Sequence, residues 1–169
     1  CFDTFSLYGT VAETIRHAFF QVGSIMTTTG FATTDYNSWP MLSKTILIIL
    51  MFIGACAGST AGGIKISRIT ILFKTIKKEL HILMHPRLIK KIKVDGHAVP
   101  HEVIRSTNVF IAVYFIIFFS SLLLISVDNR DFTTSFTAVA ATLNNIGPGL
   151  DGVGPTANFA GFSIFSKFV

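Results

Sequence analysis

Cysteines and acidic residues are few in this sequence, and their scarcity excludes several kinds of site. The two cysteines, Cys1 and Cys56, are far apart, and Cys56 lies in an apolar segment. They give neither a disulfide framework nor a metal-binding spacing. The nine Asp and Glu residues are not paired within the apolar segments, and no Ser, His and Asp arrangement of a hydrolase is present. The sequence therefore predicts neither an enzyme nor a covalently bound cofactor.

The sequence also has no initiator methionine, no signal peptide and no stretch with the composition of a soluble domain. It begins in mid-sequence at Cys1 and stops within an apolar stretch, Phe162–Val169. We therefore expect it to be a piece of a larger protein that crosses a membrane several times.

What the sequence has in abundance is apolar residues, which make up 50% of its 169 positions and include 17 Phe. Residues 106–127 carry no charge and are long enough to cross a bilayer core, so they predict a transmembrane helix. Residues 41–57 carry one charge, Lys44. This second segment is long enough to cross a bilayer only if its helix continues through a glycine-rich stretch to about Phe73.

The positive charges are concentrated in one connector. Residues 65–105 hold ten of the 14 Lys and Arg and three of the nine acids. By the positive-inside rule this connector is cytoplasmic. Nucleic-acid binding is disfavoured, because no aromatic residues interleave the Lys run and no nucleic-acid motif surrounds it. A topology signal, a membrane surface and a partner-docking surface all remain open. The acids outside it are then external: Asp3, Glu13, Asp35, Asp128, Asp131 and Asp151.

One short element occurs twice: an apolar, hydroxyl-rich run ends in Thr27-Thr28-Thr29-Gly30 and again in Asn144-Asn145-Ile146-Gly147. Aligned on the two glycines, Phe19 corresponds to Phe136 and Val22 to Val139. The pair Ser43-Lys44 corresponds to Ser166-Lys167 with about six additional residues. A repeat of this kind between apolar segments is typical of a pore lined by several loops.

The stretch before each turn predicts a short helix. Residues 9–26 have helical apolar spacing, with Thr10 as a possible cap, and Asp131 caps a helix that runs to about Leu143. Both helices are too short to span a membrane, so we expect them to enter it part way under the shelter of protein. Residues 37–40 predict an interfacial turn with Trp39 as an aromatic anchor.

The two turns are the first candidate site. Potassium filters replace the hydration shell of the ion with backbone carbonyls, and a glycine permits the backbone angles that aim them inward. A Thr-Gly turn alone is a weak signal, but its duplication after a pore-like helix favours a filter. The candidate filter residues are Thr28, Thr29, Gly30, Asn145, Ile146 and Gly147, with potassium at Thr28, Thr29, Asn145 and Ile146.

The second candidate is the glycine-rich stretch from Gly54 to Lys65. A nucleotide-binding P-loop is disfavoured because Ile64 stands where its Lys is needed and no buried strand precedes it. Two interpretations stay open: close helix packing through the glycine spacings, and a break in the membrane helix that obstructs a pore and moves aside to open it. The candidate gating residues are Gly54, Gly58, Ser59, Thr60, Gly62, Gly63 and Lys65.

Two basic residues, Lys65 and Arg68, follow this stretch. Their long side chains either reach the cytoplasmic headgroups or, in the alternative, Lys65 faces the pore, where it repels cations or stabilises the closed loop.

The sequence resembles the TrkH/KtrB family of potassium-translocating subunits, and more closely its TrkH branch. The stretches that carry the resemblance are TTTGFATTDYNSWP (27–40), GACAGSTAGGIK (54–65), LHILMHPRLIKKIKVDG (80–96) and NNIGPGL (144–150).

The resemblance implies an all-α membrane protein built from four helix–pore loop–helix repeats around one K⁺-channel-like pore. Residues 1–79 would form the pore helix, filter loop and broken second helix of the third repeat. Residues 80–104 would be a basic cytoplasmic connector, and residues 105–169 the first helix, pore helix, filter loop and start of the last helix of the fourth repeat. The two turns would supply two of four filter segments, and the glycine-rich stretch the gating loop.

The resemblance also implies a partner and a location. Such proteins are homodimers in the bacterial cytoplasmic membrane, with filter loops facing outside, and they bind a cytoplasmic nucleotide-sensing ring of the TrkA/KtrA kind. The transported ion would be K⁺, and nucleic acid would not be a partner. In one departure from the family pattern, Pro148 follows the second glycine, where an aromatic or aliphatic residue is usual.

Two rival functions remain. One is a Na⁺- or H⁺-coupled symporter with discontinuous helices, in which the glycine loops bind substrate. The other is a membrane scaffold that transports nothing and whose glycines only pack helices.

Overall fold

The computed structural model describes residues 4, 7–54, 58–59, 62–85, 92–94 and 96–169. Cys1, Cys56 and Thr60 lie outside the described residues, so the sequence predictions about them stay predictions.

The described chain is predominantly helical, which agrees with the predicted class. Its helices are α1 (Val11–Met26), α2 (Met41–Phe52), α3 (Ile66–Met84), α4 (His101–Ile125), α5 (Phe132–Leu143) and α6 (Ile164–Phe168). Short 3₁₀ turns cover Tyr36–Ser38, Ser126–Asp128, Asp151–Val153 and Phe159–Gly161. The strands β1 (Ile53–Gly54) and β2 (Ile64–Lys65) pair in parallel, and β3 (Lys93–Val94) and β4 (His97–Ala98) pair antiparallel. These two small ladders were not expected from the sequence.

The helices that precede the two glycine turns begin at the predicted caps. The Thr10 hydroxyl accepts from the backbone N–H of Glu13 at 3.3 Å at the start of α1. The Asp131 carboxylate accepts from the N–H of Thr133 at 2.9 Å at the start of α5. Each side chain satisfies a donor that the first helical turn leaves unpaired. Both predicted helices are confirmed.

The apolar segment from residue 41 does not continue as one helix to about Phe73. Helix α2 ends at Phe52, the chain leaves helical conformation, and α3 begins only at Ile66. Glycines weaken a helix by about 1 kcal/mol each relative to Ala, and here they also permit a close return of the backbone. Of the two open interpretations of the glycine-rich stretch, the structure contains the helix break.

Helix α4 is the predicted membrane helix. With the 3₁₀ turn that follows it, the span His101–Asp128 has a mean hydropathy of 2.6 in its most apolar window. Within the described residues it is the one helix long and apolar enough to cross a membrane. It begins at His101, five residues before the predicted start, and Pro100 stands at its N-cap in a non-helical conformation.

The core lies where α5 packs against α2 and α4. Ala138–Ala141 are buried on α5, and these small side chains allow the neighbouring helices to approach closely. The ring of Phe136 lies 5.1 Å from that of Phe118 on α4 and 6.0 Å from that of Phe52 on α2, measured between centroids. Aromatic pairs at such distances add about 0.5–1.5 kcal/mol beyond the area they bury. This core fixes the position of the second glycine turn, which follows α5.

A turn is present at the predicted place, Tyr36–Ser38, and the Trp39 that follows it is buried within the chain. Its side chain is 5% exposed and its indole Nε1 donates to the Tyr8 hydroxyl at 2.8 Å. The apolar ring is buried among side chains of this chain while its one donor is satisfied. Trp39 thus joins the segment before α1 to the segment after the first turn.

Candidate functional site

The two glycine turns are held by the same backbone hydrogen bonds. In each, three successive N–H groups donate back into the last turn of the preceding helix, at positions 117 residues apart. The first set is Thr27 N to Gly23 O (3.0 Å), Thr28 N to Ile25 O (3.1 Å) and Thr29 N to Ser24 O (2.9 Å); the second is Asn144 N to Ala140 O (3.2 Å), Asn145 N to Thr142 O (3.1 Å) and Ile146 N to Ala141 O (2.8 Å).

The backbone angles are also repeated. Thr28 has φ 56° and Asn145 has φ 55°, left-handed conformations that cost a non-glycine residue about 1–2 kcal/mol. Gly30 (φ 76°) and Gly147 (φ 106°) are positive as well. In both turns three successive N–H groups bond to the preceding helix, so the turn's carbonyl oxygens are the backbone groups it can offer to another partner. Such a turn can present several carbonyl oxygens to one cation.

The two copies also resemble each other after the turns, where corresponding residues are 123 positions apart. Asp35 and Asn158 each cap a 3₁₀ turn by accepting from the N–H two residues later. The Lys44 ammonium donates to the carbonyl of Asn37 at 3.2 Å, and the Lys167 ammonium to that of Ala160 at 3.0 Å. Helices α2 and α6 begin at corresponding positions. The duplication read from the sequence is therefore present in the local structure.

The two turns lie against each other. A Cβ added at Gly30 would overlap the carbonyl oxygen of Ile146 and would lie 3.2 Å from Cδ of Pro148. Gly30 is therefore needed for two reasons, its positive φ and the lack of space. The structure brings the first predicted filter segment into contact with the second.

A second contact joins the segments that follow the turns. The Asn37 side chain accepts from the N–H of Asp151 at 2.9 Å, and its amide nitrogen donates to the carbonyl of Asp151 at 3.4 Å. The Thr156 hydroxyl donates to the Asp35 carboxylate at 3.4 Å. Burial raises the pKa of the nearby Tyr36 phenol, and the charge of Asp35 raises it further. Tyr36 therefore stays neutral beside this link.

The predicted filter residues differ in exposure. Ile146 is 3% exposed and its side chain belongs to the core, whereas Asn145 and Gly147 on either side of it are exposed. In the first turn Thr29 is exposed and Thr28 is half-buried. Ile146 thus anchors the second turn through its side chain.

Asn144 is the buried base of the second turn, with 0% exposure. Its Oδ1 accepts from the Tyr114 hydroxyl of α4 at 2.8 Å, and its Nδ2 donates to the carbonyl of Ala140 at 2.7 Å. A Cβ added at Gly62 would overlap the backbone carbonyl of Asn144, so the glycine-rich stretch passes directly against this residue.

The described part of the glycine-rich stretch forms a tight return. A Cβ at Gly54 would overlap the carbonyl oxygen of Gly62, and Gly63 has φ 78°. The Lys65 ammonium donates to the carbonyl of Ser59 at 2.8 Å, across the return. Around Gly58, in contrast, no described atom lies within 4 Å of an added Cβ. Lys65 therefore binds the loop itself.

Arg68 does not extend freely from α3. Its guanidinium lies 3.8 Å from the ring centroid of Phe110 on α4, a cation–π contact. The predicted pair of basic residues thus has two different contacts, one with the loop and one with α4.

Sequence reasoning missed three residues that hold the site together: Asn37, Tyr114 and the side chain of Asn144. Asn144 stands in the NNIGPGL motif, but its partner lies 30 residues away in a uniform apolar run. Asn37 pairs across 114 residues. Nothing in the sequence around Asn37 or Tyr114 indicated these long-range partners.

Comparisons with known proteins agree with this architecture. The sequence matches the model of the TrkH family, described as cation transport proteins, over residues 8–169. It is 39% identical over 164 residues to the Trk system potassium uptake protein TrkH of Salmonella typhimurium, covering 97% of this chain and 34% of the relative. It is 43% identical over 147 residues to TrkG of Escherichia coli K12, covering 86% of this chain and 29% of the relative.

A solved structure is similar as well. The crystal structure of the potassium transporter TrkH from Vibrio parahaemolyticus matches with a TM-score of 0.81 and 38% identity, covering 95% of this chain and 33% of that one. The chain spans about a third of the length of these relatives. With the family match covering nearly all of its sequence, the chain belongs to the TrkH family of cation transport proteins, which are membrane proteins.

Proposed function

We propose that this chain supplies two segments of a potassium-selective filter, and the loop that gates it, to a protein that takes up K⁺ across the bacterial cytoplasmic membrane. The observation that carries the proposal is the repeated turn. Two helices of different sequence end in the same hydrogen bonds and the same alternation of φ, and the two turns meet. The helix-end bonds and the left-handed Thr28 and Asn145 form a C-cap that many helices share. The support for a filter is therefore the further positive φ of Gly30 and Gly147 and the contact between the two turns.

In this proposal the ion ligands are backbone carbonyl oxygens of Thr28, Thr29, Asn145 and Ile146. Carbonyls replace the hydration shell of K⁺, and release is fast because each site holds the ion only moderately. Gly30 and Gly147 permit the backbone conformation that the carbonyls require. The family resemblance implies two further segments in a complete pore of four.

The gate is the stretch from Gly54 to Lys65. The support for this gate is its position. The stretch separates α2 from α3, and it lies against Asn144 at the base of the second turn. Irregular backbone at membrane depth is tolerated where it is buried in protein or lines a water-filled path. The Lys65 contact with Ser59 holds the loop compact, and its positive charge opposes cations in that position.

The partners follow from the resemblance. A homodimer in the bilayer, bound on its cytoplasmic face to a nucleotide-sensing ring, would transmit the state of the ring to the loop through the helices that flank it. The basic connector is the cytoplasmic side, and the filter turns face outside.

The test is growth of a bacterium that lacks K⁺ uptake, on limiting K⁺, with the complete protein and its ring expressed. We expect rescue by the wild type and none by Gly30→Ser, because a side chain there collides with Ile146. The control is Gly23→Ser in α1, where no described atom lies within 4 Å of an added Cβ. Failure of the wild type to rescue at normal membrane expression would contradict K⁺ uptake. Rescue by Gly30→Ser with unchanged K⁺ over Na⁺ preference would favour the scaffold.

The symporter alternative rests on the helix break alone. It predicts that purified protein in vesicles moves K⁺ only when a Na⁺ or H⁺ gradient is imposed. The filter proposal predicts K⁺ flux down its own gradient without either.

A further inference from the structure

Asn144 stands at the meeting point of three elements: the end of α5, the side of α4 and the glycine-rich stretch. It is wholly buried, and both ends of its amide are hydrogen-bonded. A buried amide that keeps all its partners adds rigidity, whereas one that loses a partner is costly. Its neighbours therefore fix its position closely.

The glycine-rich stretch contacts Asn144 through two glycines in succession. A side chain at Gly62 would overlap the backbone carbonyl of Asn144, and a Cβ at Gly63 would lie 3.2 Å from its Oδ1. The loop approaches to backbone contact only because these positions carry no side chain. The contact thus includes both the backbone and the amide of Asn144.

Tyr114 determines how that amide is oriented. Its hydroxyl donates to Oδ1, which leaves Nδ2 to donate to the Ala140 carbonyl. Position 27, the counterpart of Asn144 in the first turn, carries a threonine whose hydroxyl donates to the corresponding carbonyl, Gly23. The second turn has the same bond from its side chain to the helix end and, in addition, the hydrogen bond from Tyr114 of α4.

We propose that Asn144 is a positioning residue that holds Gly62 and Gly63 of the gating loop beneath the filter. We call the contact of these two glycines with Asn144 the seat of the loop. The Tyr114 hydroxyl fixes this seat by orienting the amide of Asn144. This inference rests on the proposed function. Loss of the hydroxyl frees the amide of Asn144 to rotate, so the loop occupies its seat for a smaller fraction of the time. The expected consequence is a change in gating, while the filter carbonyls keep their geometry.

The test is Tyr114→Phe in the complete protein, reconstituted in vesicles with and without its cytoplasmic ring. We expect K⁺ flux without the ring to rise about 5-fold or more, with the preference for K⁺ over Na⁺ unchanged. The control is Tyr36→Phe, which removes a buried hydroxyl that has no hydrogen-bond partner among the described residues. We expect wild-type flux from it.

Two outcomes would overturn the proposal. Wild-type flux and ring dependence in Tyr114→Phe would show that the seat does not hold the gate. A changed ion preference with unchanged gating would assign Asn144 to the filter. Both require a wild type that conducts K⁺, so they are distinct from a failure of the proposed function.

A second variant keeps the proposal testable if Tyr114→Phe reaches the membrane poorly. Gly62→Ala pushes the loop from its seat by direct overlap with Asn144, and we expect it also to raise flux without the ring. In the double variant the two increases should not multiply, because both act through one contact. Wild-type flux from Gly62→Ala, or independent multiplication, would contradict a shared seat.

Discussion

The first glycine turn and the second are held by the same backbone bonds but have different surroundings within this chain, which spans about a third of the length of its relatives. Phe19 on the helix before the first turn is 71% exposed, whereas its counterpart Phe136 packs between rings of α2 and α4. Thr27 at the base of the first turn is exposed, and Asn144 at the base of the second is wholly buried.

The difference separates two requirements. The backbone angles are shared, so the conformation of the two turns depends on the backbone bonds and on glycine. The side chains at corresponding positions can therefore differ. At the second turn they pack against α4 and contact the glycine-rich stretch.

The largest effect should come from comparing the two glycines. In Gly30→Ala the new Cβ overlaps the Ile146 carbonyl, and the positive φ strains the alanine backbone. In Gly147→Ala only the backbone is strained, because no described atom lies within 4 Å of the new Cβ. We expect Gly30→Ala to abolish K⁺ uptake. Gly147→Ala should cost about 1–3 kcal/mol of local strain and retain partial uptake. The measurement is Rb⁺ uptake by cells, normalised to protein in the membrane. Equal losses would show that contact between the turns is not what matters.

Exchanging the residues at the base of the turns should have a strongly asymmetric effect. Asn144→Thr can keep the bond to Ala140 but leaves the buried Tyr114 hydroxyl without its acceptor, at about 1–3 kcal/mol. Thr27→Asn places an amide at an exposed site and should cost less than about 1 kcal/mol. Thermal unfolding in detergent measures both. Equal shifts in the midpoint would mean that burial of the second turn adds no constraint.

The link between the segments that follow the turns can be broken separately. Asn37→Ala removes both bonds to Asp151 and should cost about 1–2 kcal/mol, with a moderate loss of K⁺ over Na⁺ preference. Ser38→Ala is the matched control, because the side-chain bond of Ser38 within the described residues goes to Asp35 in its own 3₁₀ turn. Competition of Na⁺ with Rb⁺ uptake measures the preference. A similar loss in both variants would contradict a link across the two copies.

The smallest effect is expected at the paired lysines. Lys44→Met and Lys167→Met each remove one bond from an ammonium to a backbone carbonyl, at 3.2 and 3.0 Å. Each should lower stability by less than about 1 kcal/mol, with uptake nearly unchanged. Lys44 is half-buried and Lys167 exposed, so Lys44→Met should have the larger effect on the unfolding midpoint. The reverse order would show that exposure does not control these bonds.

Local features of the fold were readable from the sequence. Thr10 and Asp131 indicated the starts of α1 and α5 because a cap acts within three residues, and the glycines gave the interruption after α2 as one of two open interpretations. The burial of Trp39, the tie between Asn37 and Asp151, and the bond of Tyr114 to Asn144 were not readable. Each of these three contacts depends on segments that the core brings together. A uniformly apolar run such as residues 106–127 does not indicate which of its faces packs against the core.

The two ends of the glycine-rich stretch are joined to each other by the parallel pairing of Ile53 with Ile64 and Gly54 with Lys65. A segment whose ends are fastened side by side can change shape without altering the separation of its attachment points. The pairing therefore holds the end of α2 beside the start of α3, whatever conformation the residues between the two strands adopt. In the proposed gating motion, the described contacts that have to break are those of Gly62 and Gly63 with Asn144 and that of Lys65 with Ser59.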